Sequence, residues 1–263
     1  MTSWVGQVIQ DYWRMTSGSW LLNYFSIRWL FSSGQLIGFR QVIRVTASQI
    51  YFTAAQALPL VIFLGFGVGF VFITQLLNPF FGLANVEMAT KLFFNLIIKE
   101  AAPLLTIMIV VARSITAIAT ELGNMKINRE IEALLSMSIH PISFVVLPRL
   151  AGGVTSLVIL GVFFCLFSLF GALFSGTWFY RVPPVYFFNT LIGLFHSHDF
   201  VFLLLKLTGS GLFIFSIATY FGLSPKSSPS EVPICTTHAV VKSIVVALVF
   251  SGFLTVCEYL SVF

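Results

Sequence analysis

The sequence predicts an all-α integral membrane protein: five transmembrane helices preceded by N-terminal interfacial helices, with the N-terminus cytoplasmic and the C-terminus periplasmic. Three observations carry this expectation. Of 263 residues, 58% are hydrophobic and 9% are charged, against about 25% charged in an ordinary soluble domain. Mean hydropathy is +0.98, and a sphere of this length cannot hide so much apolar surface from water, so lipid is the solvent. The apolar residues gather in runs of membrane-crossing length, and the basic residues gather in alternate connecting segments. A net charge of +5 could mean nucleic acid, but the cations are scattered singly, with no basic patch, and no nucleic-acid partner is expected. Cys165, Cys235 and Cys257 are too few and too far apart for a disulfide framework or a metal knuckle.

Residues 1–57 are expected to lie along the membrane surface. Trp4, Trp13, Trp20 and Trp29 alternate there with Arg14, Arg28 and polar residues, and tryptophan prefers the headgroup level. The opening residues show neither a signal peptide nor a transit peptide, so the first span is expected to double as the insertion signal. That span, 58–77, has no charge and is long enough to cross about 30 Å of hydrocarbon. The second, 92–116, carries Lys99 and Glu100; the third, 144–174, has room for a tilt or a kink near Pro148 and Gly152-Gly153. Val185–Phe195 is apolar but too short to cross, and reads as an interfacial or re-entrant helix. The fourth and fifth spans are 200–222 and 240–262. With the N-terminus inside, segments 1–57, 113–149 and 223–242 hold ten of the fourteen Lys and Arg residues, which sets the orientation.

The connecting segment 120–141 is amphipathic. Asn128 is placed to cap a short helix, Glu130 and Glu132 fall in its first turn, and Ile131, Leu134, Leu135 and Ile139 share one face. Such a helix either packs on its own span ends or meets a soluble partner. Charges inside spans cost roughly 2.5–3.5 kcal/mol each at a helix centre, so Lys99, Glu100 and Lys206 must face protein or a wet cavity. Lys99 and Glu100 point about 100° apart on a helix and cannot neutralise each other, whereas Asp199 and Lys206, seven residues apart, share a face. These groups form either structural pairs between helices or a polar lining for a lipid headgroup, with Phe93, Phe94 and Leu96 as apolar walls. Gly65-x-Gly67-x-Gly69 contains a G-x-x-x-G, read as packing within the subunit. His196-Ser197-His198-Asp199 has ligand-bearing side chains but no second cluster to complete a metal site.

The block Lys99-Glu100-Ala101-Ala102-Pro103, then Ala112-Arg113-Ser114, Thr120-Glu121-Leu122-Gly123-x-Met125, Ile131-x-Ala133-Leu134, Met137, His140-Pro141 and Pro148-Arg149 resembles the MlaE/YrbE-type permeases of ABC lipid transporters that work with MCE-domain proteins. Gln49-Ile50-Tyr51, Asp199, Lys206 and Thr236-Thr237-x-Ala239-Val240-Val241 extend the likeness over residues 40–263. The chain departs from the family at Glu100-Ala101-Ala102-Pro103, usually Glu-Leu-Gly-Pro, and at His140-Pro141, usually Asp-Pro. Ser251 stands where an acidic residue is common, with Glu258 two turns further on. The resemblance implies a homodimeric permease in a bacterial inner membrane, bound to a cytoplasmic ABC ATPase and an MCE-domain protein, with room for a small cytoplasmic regulatory subunit. It implies ATPase coupling through Glu121, Gly123, Met125, Glu130, Ile131, Leu134 and Leu135, and a lipid cavity at Lys99, Glu100, Pro103, Asp199 and Lys206. No cofactor is implied. The sequence contains no G-x-x-x-x-G-K-[ST], so the ATP-binding loop is expected in the partner. The rival readings are an ion-coupled carrier using Glu100 and Lys206, and a lipid-modifying enzyme. For the latter, Ser114, Ser156 and Ser210 have no base beside them in sequence.

Overall fold

The computed structural model describes residues 39–77, 86–137, 141–195, 197–225 and 228–262. The expected interfacial helices before residue 39, together with His140, Ile139 and His196, lie outside the described residues. Among those described, the regular structure is helical throughout, with no strand. In chain order the helices are α1 (Phe39–Ile50), α2 (Leu58–Leu76), α3 (Val86–Phe93), α4 (Ala102–Val110), α5 (Thr116–Ile127), α6 (Glu130–Ser136), α7 (Leu147–Tyr180), α8 (Pro184–Leu194), α9 (Ser197–Gly222) and α10 (Glu231–Val262). Wide π-helical turns at Tyr51–Ala55, Phe94–Ala101, Val111–Ile115 and Ile142–Val146 join several of them.

Five helical stretches are long and apolar enough to cross a membrane: Arg44–Leu76, Val86–Ile127, Phe144–Tyr180, His198–Gly222 and Glu231–Leu260. Each overlaps one expected span; the first stops one residue and the fifth two residues short of the expected C-terminal end, while six of the ten ends run further than expected, because polar residues at helix ends keep their hydrogen bonds by continuing the helix. The first absorbs α1 through a π-helical turn, so this segment leads directly into the span at Pro59, in the first turn of α2 where a missing N–H costs nothing. The second reaches Ile127, which places Thr120–Ile127 on the span helix rather than in a loop. No break follows Pro148: α7 continues unbroken to Tyr180. The short apolar helix between the third and fourth spans is α8.

The described chain divides into two compact units, one built from 39–51, 111–154 and 210–247, the other from 52–110, 155–209 and 248–262. In the first unit, α5 packs on the opening turns of α10 and the end of α9. Gly123 faces Val232, Gly222 faces Leu122 and Ala119, and Thr120 Oγ1 lies 3.2 Å from Thr236 Oγ1. Ile115, Ile118, Leu122, Ile214 and Phe215 fill its interior. In the second unit, α2 and α7 touch backbone to backbone. A Cβ at Gly69 would overlap the Ser168 carbonyl, and one at Gly171 would overlap the Phe66 carbonyl. The G-x-x-x-G is thus a contact within the chain, the small residues letting two helices approach where lipid offers no hydrophobic drive. Thr74 Oγ1 and Ser175 Oγ are 2.6 Å apart, and Tyr180 donates to the Thr74 carbonyl at 2.9 Å. Phe93 is fully buried between Phe72 and Phe187, and Phe94 packs on Phe195. These two rings belong to the core; of the three apolar walls expected, Leu96 alone is exposed.

Gly69→Ala is expected to lower the melting temperature of the detergent-solubilised protein by several degrees, a loss of about 1–3 kcal/mol from overpacking. Gly67→Ala, where an added Cβ meets nothing within 4 Å, should leave it unchanged. Equal melting of both variants would refute the contact.

Candidate functional site

Two groups of polar residues stand out, one in each unit. In the second unit, five charged side chains from three helical stretches form one network. Lys206 of α9 is the most deeply buried, its side chain 1% exposed. Its ammonium donates to Glu100 Oε1 at 3.0 Å, to Glu258 Oε2 at 3.1 Å and to the Lys99 carbonyl at 3.2 Å. An ammonium has three N–H groups, so all three are used. The carbonyl is available because Pro103, four residues after Lys99, has no N–H to give it. Pro103 is itself buried. Around it the chain widens into the π-helical turn Phe94–Ala101 that carries both Lys99 and Glu100, and such turns recur at functional sites.

Lys99 completes the network with Asp199 at 2.6 Å and Glu258 Oε1 at 3.3 Å, and its ammonium lies 5.7 Å from the centre of the Phe94 ring. Thr255 donates to Glu100 Oε2 at 2.7 Å. The structure therefore brings together Lys99, Glu100, Asp199 and Lys206, as sequence spacing suggested, but changes the pairing. Asp199 bonds Lys99 of another span, although it shares a helix with Lys206. Thr255 was not among the residues singled out, and Glu258 only as the carboxylate two turns beyond Ser251; Glu258 joins the two cations. Its signal in the sequence was its being a lone carboxylate in an apolar run. Lys99 and Glu100 are the accessible members, their side chains 23% and 25% exposed, against 9% for Asp199 and 8% for Glu258.

In the first unit, the corner between α5 and α6 carries the expected coupling residues. Asn128 does not cap α6: it ends α5, its N–H bonded to the Asn124 carbonyl. Arg129 then turns the chain with φ 59° and ψ 21°, a left-handed conformation costly for a non-glycine residue. On α6, Ile131 is buried, Leu134 half-buried, and Glu130, Glu132, Leu135 and Met137 exposed. Gly123 is buried against Val232. Arg149 of α7 is buried, with Nη2 2.7 Å from Glu121 and 3.9 Å from the Met125 sulfur, and Nη1 donating to the Val145 carbonyl at 3.0 Å. A cavity of about 400 Å³ lies against this pair, lined by Val45, Glu121, Asn124, Met125, Glu130, Phe144, Val145 and Arg149. Of the paired His and Asp run, Asp199 is committed to Lys99, and the His198 ring lies 4.5 Å from that of Phe202. Among the described residues no cluster of three His, Cys, Asp or Glu is placed to hold a metal ion.

Lys206→Met is expected to destabilise the protein by about 3–5 kcal/mol, since it strands buried carboxylates. Lys206→Met with Glu100→Gln should recover part of this, because Lys206 is the ammonium partner of Glu100 among the described residues. Thermal melts of the two variants check it; identical melts would show that the pair is uncoupled.

The chain matches the family described as Permease MlaE over residues 46–257. It is 25% identical over 212 residues to a probable ABC transporter permease protein of Synechocystis sp., the alignment covering 81% of each chain. To a probable ABC transporter permease protein of Rickettsia typhi it is 26% identical, over 79% of this chain and 80% of the other. To the intermembrane phospholipid transport system permease protein MlaE of Haemophilus influenzae it is 23% identical, over 84% of this chain and 87% of that one.

Proposed function

The chain belongs to the MlaE permease family, and from that premise we propose that it is the membrane-spanning subunit of an ABC transporter moving phospholipid between a bacterial inner membrane and an MCE-domain protein. The observation that carries the reading is the family match across 212 consecutive positions, 46–257, which takes in both polar sites but for Val45 and Glu258, each one position beyond its ends. The subunit forms a homodimer, and ATP is hydrolysed by a separate ATPase.

Force enters at α6. Its exposed Glu130, Glu132, Leu135 and Met137 offer charge and apolar area to the ATPase, while buried Ile131 roots the helix in the permease. Glu121, held by Arg149, ties α5 to the start of α7, so a push on α6 is passed to two span helices. At the other site a headgroup meets Lys99 and Glu100, the accessible cation and carboxylate. Lys206 has no donor to spare and acts by positioning Glu100; Asp199 and Glu258 position Lys99. Acyl chains lie against the apolar outer faces of the spans.

Glu121→Arg or Leu134→Arg should abolish ATP-driven lipid transfer by the purified complex in proteoliposomes while the protein still inserts and melts as a folded species. Glu100→Ala and Lys206→Ala should each reduce transfer at least tenfold. Unchanged transfer in either pair removes the corresponding site from the reading, and transfer by the permease alone without ATP would make it an autonomous carrier.

A further inference from the structure

We propose that the cavity at the α5–α6 corner is a socket for a basic side chain, arginine in preference to lysine, presented by the ATPase partner. This rests on the reading of the chain as an ATP-driven permease subunit. The cavity holds two carboxylates, Glu121 and Glu130, and one guanidinium, Arg149. That guanidinium is nine-tenths buried and committed to Glu121 and the Val145 carbonyl. It leaves an excess of one negative charge facing the opening. The carboxylates remain accessible: the Glu121 side chain is 59% exposed despite its ion pair, and Glu130 is exposed. A carboxylate accepts about four hydrogen bonds, so Glu121 retains capacity beyond Arg149. Asn124, also exposed, adds an amide oxygen.

The walls select the form of the cation. Val45, Met125 and Phe144 are apolar; they gain nothing from a hydrated ion but cover the methylene stem of a long basic side chain. A planar guanidinium bonds two carboxylates at once through its fork, which an ammonium does as a point charge only. Exposed Leu135 and Met137, next along α6, give the same partner an apolar foothold beside the socket. Lys126, Arg129 and Arg113 do not line the cavity; Arg113 lines the adjoining one, which shares Glu121 and Asn124, so the excess of negative charge is that of the socket's own lining. Occupation of the socket places a second cation on Glu121, in competition with Arg149, so engagement of the partner bears directly on the link between α5 and α7.

The test uses the detergent-solubilised permease and its ATPase, with affinity measured at low and high salt. Wild-type binding should weaken as salt rises. Glu130→Lys should weaken it at least tenfold without changing the permease melting temperature, and Glu130→Asp should restore most of it. Changing each exposed Arg of the ATPase to Glu in turn should identify one that regains affinity for the Glu130→Lys permease. Binding of Glu130→Lys within twofold of wild type overturns the socket and leaves the transporter reading standing. Failure of the wild-type permease to capture any ATPase overturns both.

Discussion

Lys206 puts a full positive charge where the surrounding solvent is hydrocarbon, and three bonds on one nitrogen make that tolerable. Each bond constrains a different part of the second unit. Glu100 must come from the second span, Glu258 from α10, and the Lys99 carbonyl must be released from its own helix, which Pro103 accomplishes. Once Glu258 is so placed, its other oxygen lies within 3.3 Å of Lys99, which is drawn also to Asp199. The positions of three helical stretches thus follow from the valence of one ammonium group. Removing any single partner leaves a charge in a medium that cannot screen it.

Elsewhere in the same unit the helices are held without charge. Water supplies no drive for helix association in lipid, so contact depends on close approach and on hydrogen bonds. Gly69 and Gly171 let α2 and α7 meet at the backbone, and Thr74, Ser175 and Tyr180 bond across the same pair. Each glycine must stay opposite the carbonyl it faces, and the hydrogen bonds fix the same register, so the uncharged seam and the charged network both specify how the helices of this unit align.

The architecture was legible because its cause is local. A run such as 58–77 is uncharged whatever its neighbours do, and its length alone decides that it crosses. The same holds for α8, too short to cross, and for α6, whose apolar spacing is written within seven residues. Pairing was legible only in part. Spacing put Asp199 and Lys206 on one face of α9 but said nothing of the residues opposite, and the partners of Lys206 are 106 and 52 residues away in sequence. Glu258 stood out only as the carboxylate two turns beyond Ser251, and spacing along one helix gave no sign of the two cations it would meet. The boundaries failed for another reason. Thr120–Ile127 looks polar enough for a loop, yet its backbone groups are satisfied most simply by extending α5. Likewise Asn128, a favourable first residue for one helix, is equally able to finish the one before it.

Arg129 occupies a turn that glycine would adopt with less strain. Its retention is intelligible on a different scale, that of insertion. A segment flanked by cations resists translocation, and Lys126, Arg129 and Arg149 cluster near this corner of the sequence. On the proposed reading of this corner as cytoplasmic, the conformational cost falls on the folded protein, while the cation contributes to the orientation of the newly made chain.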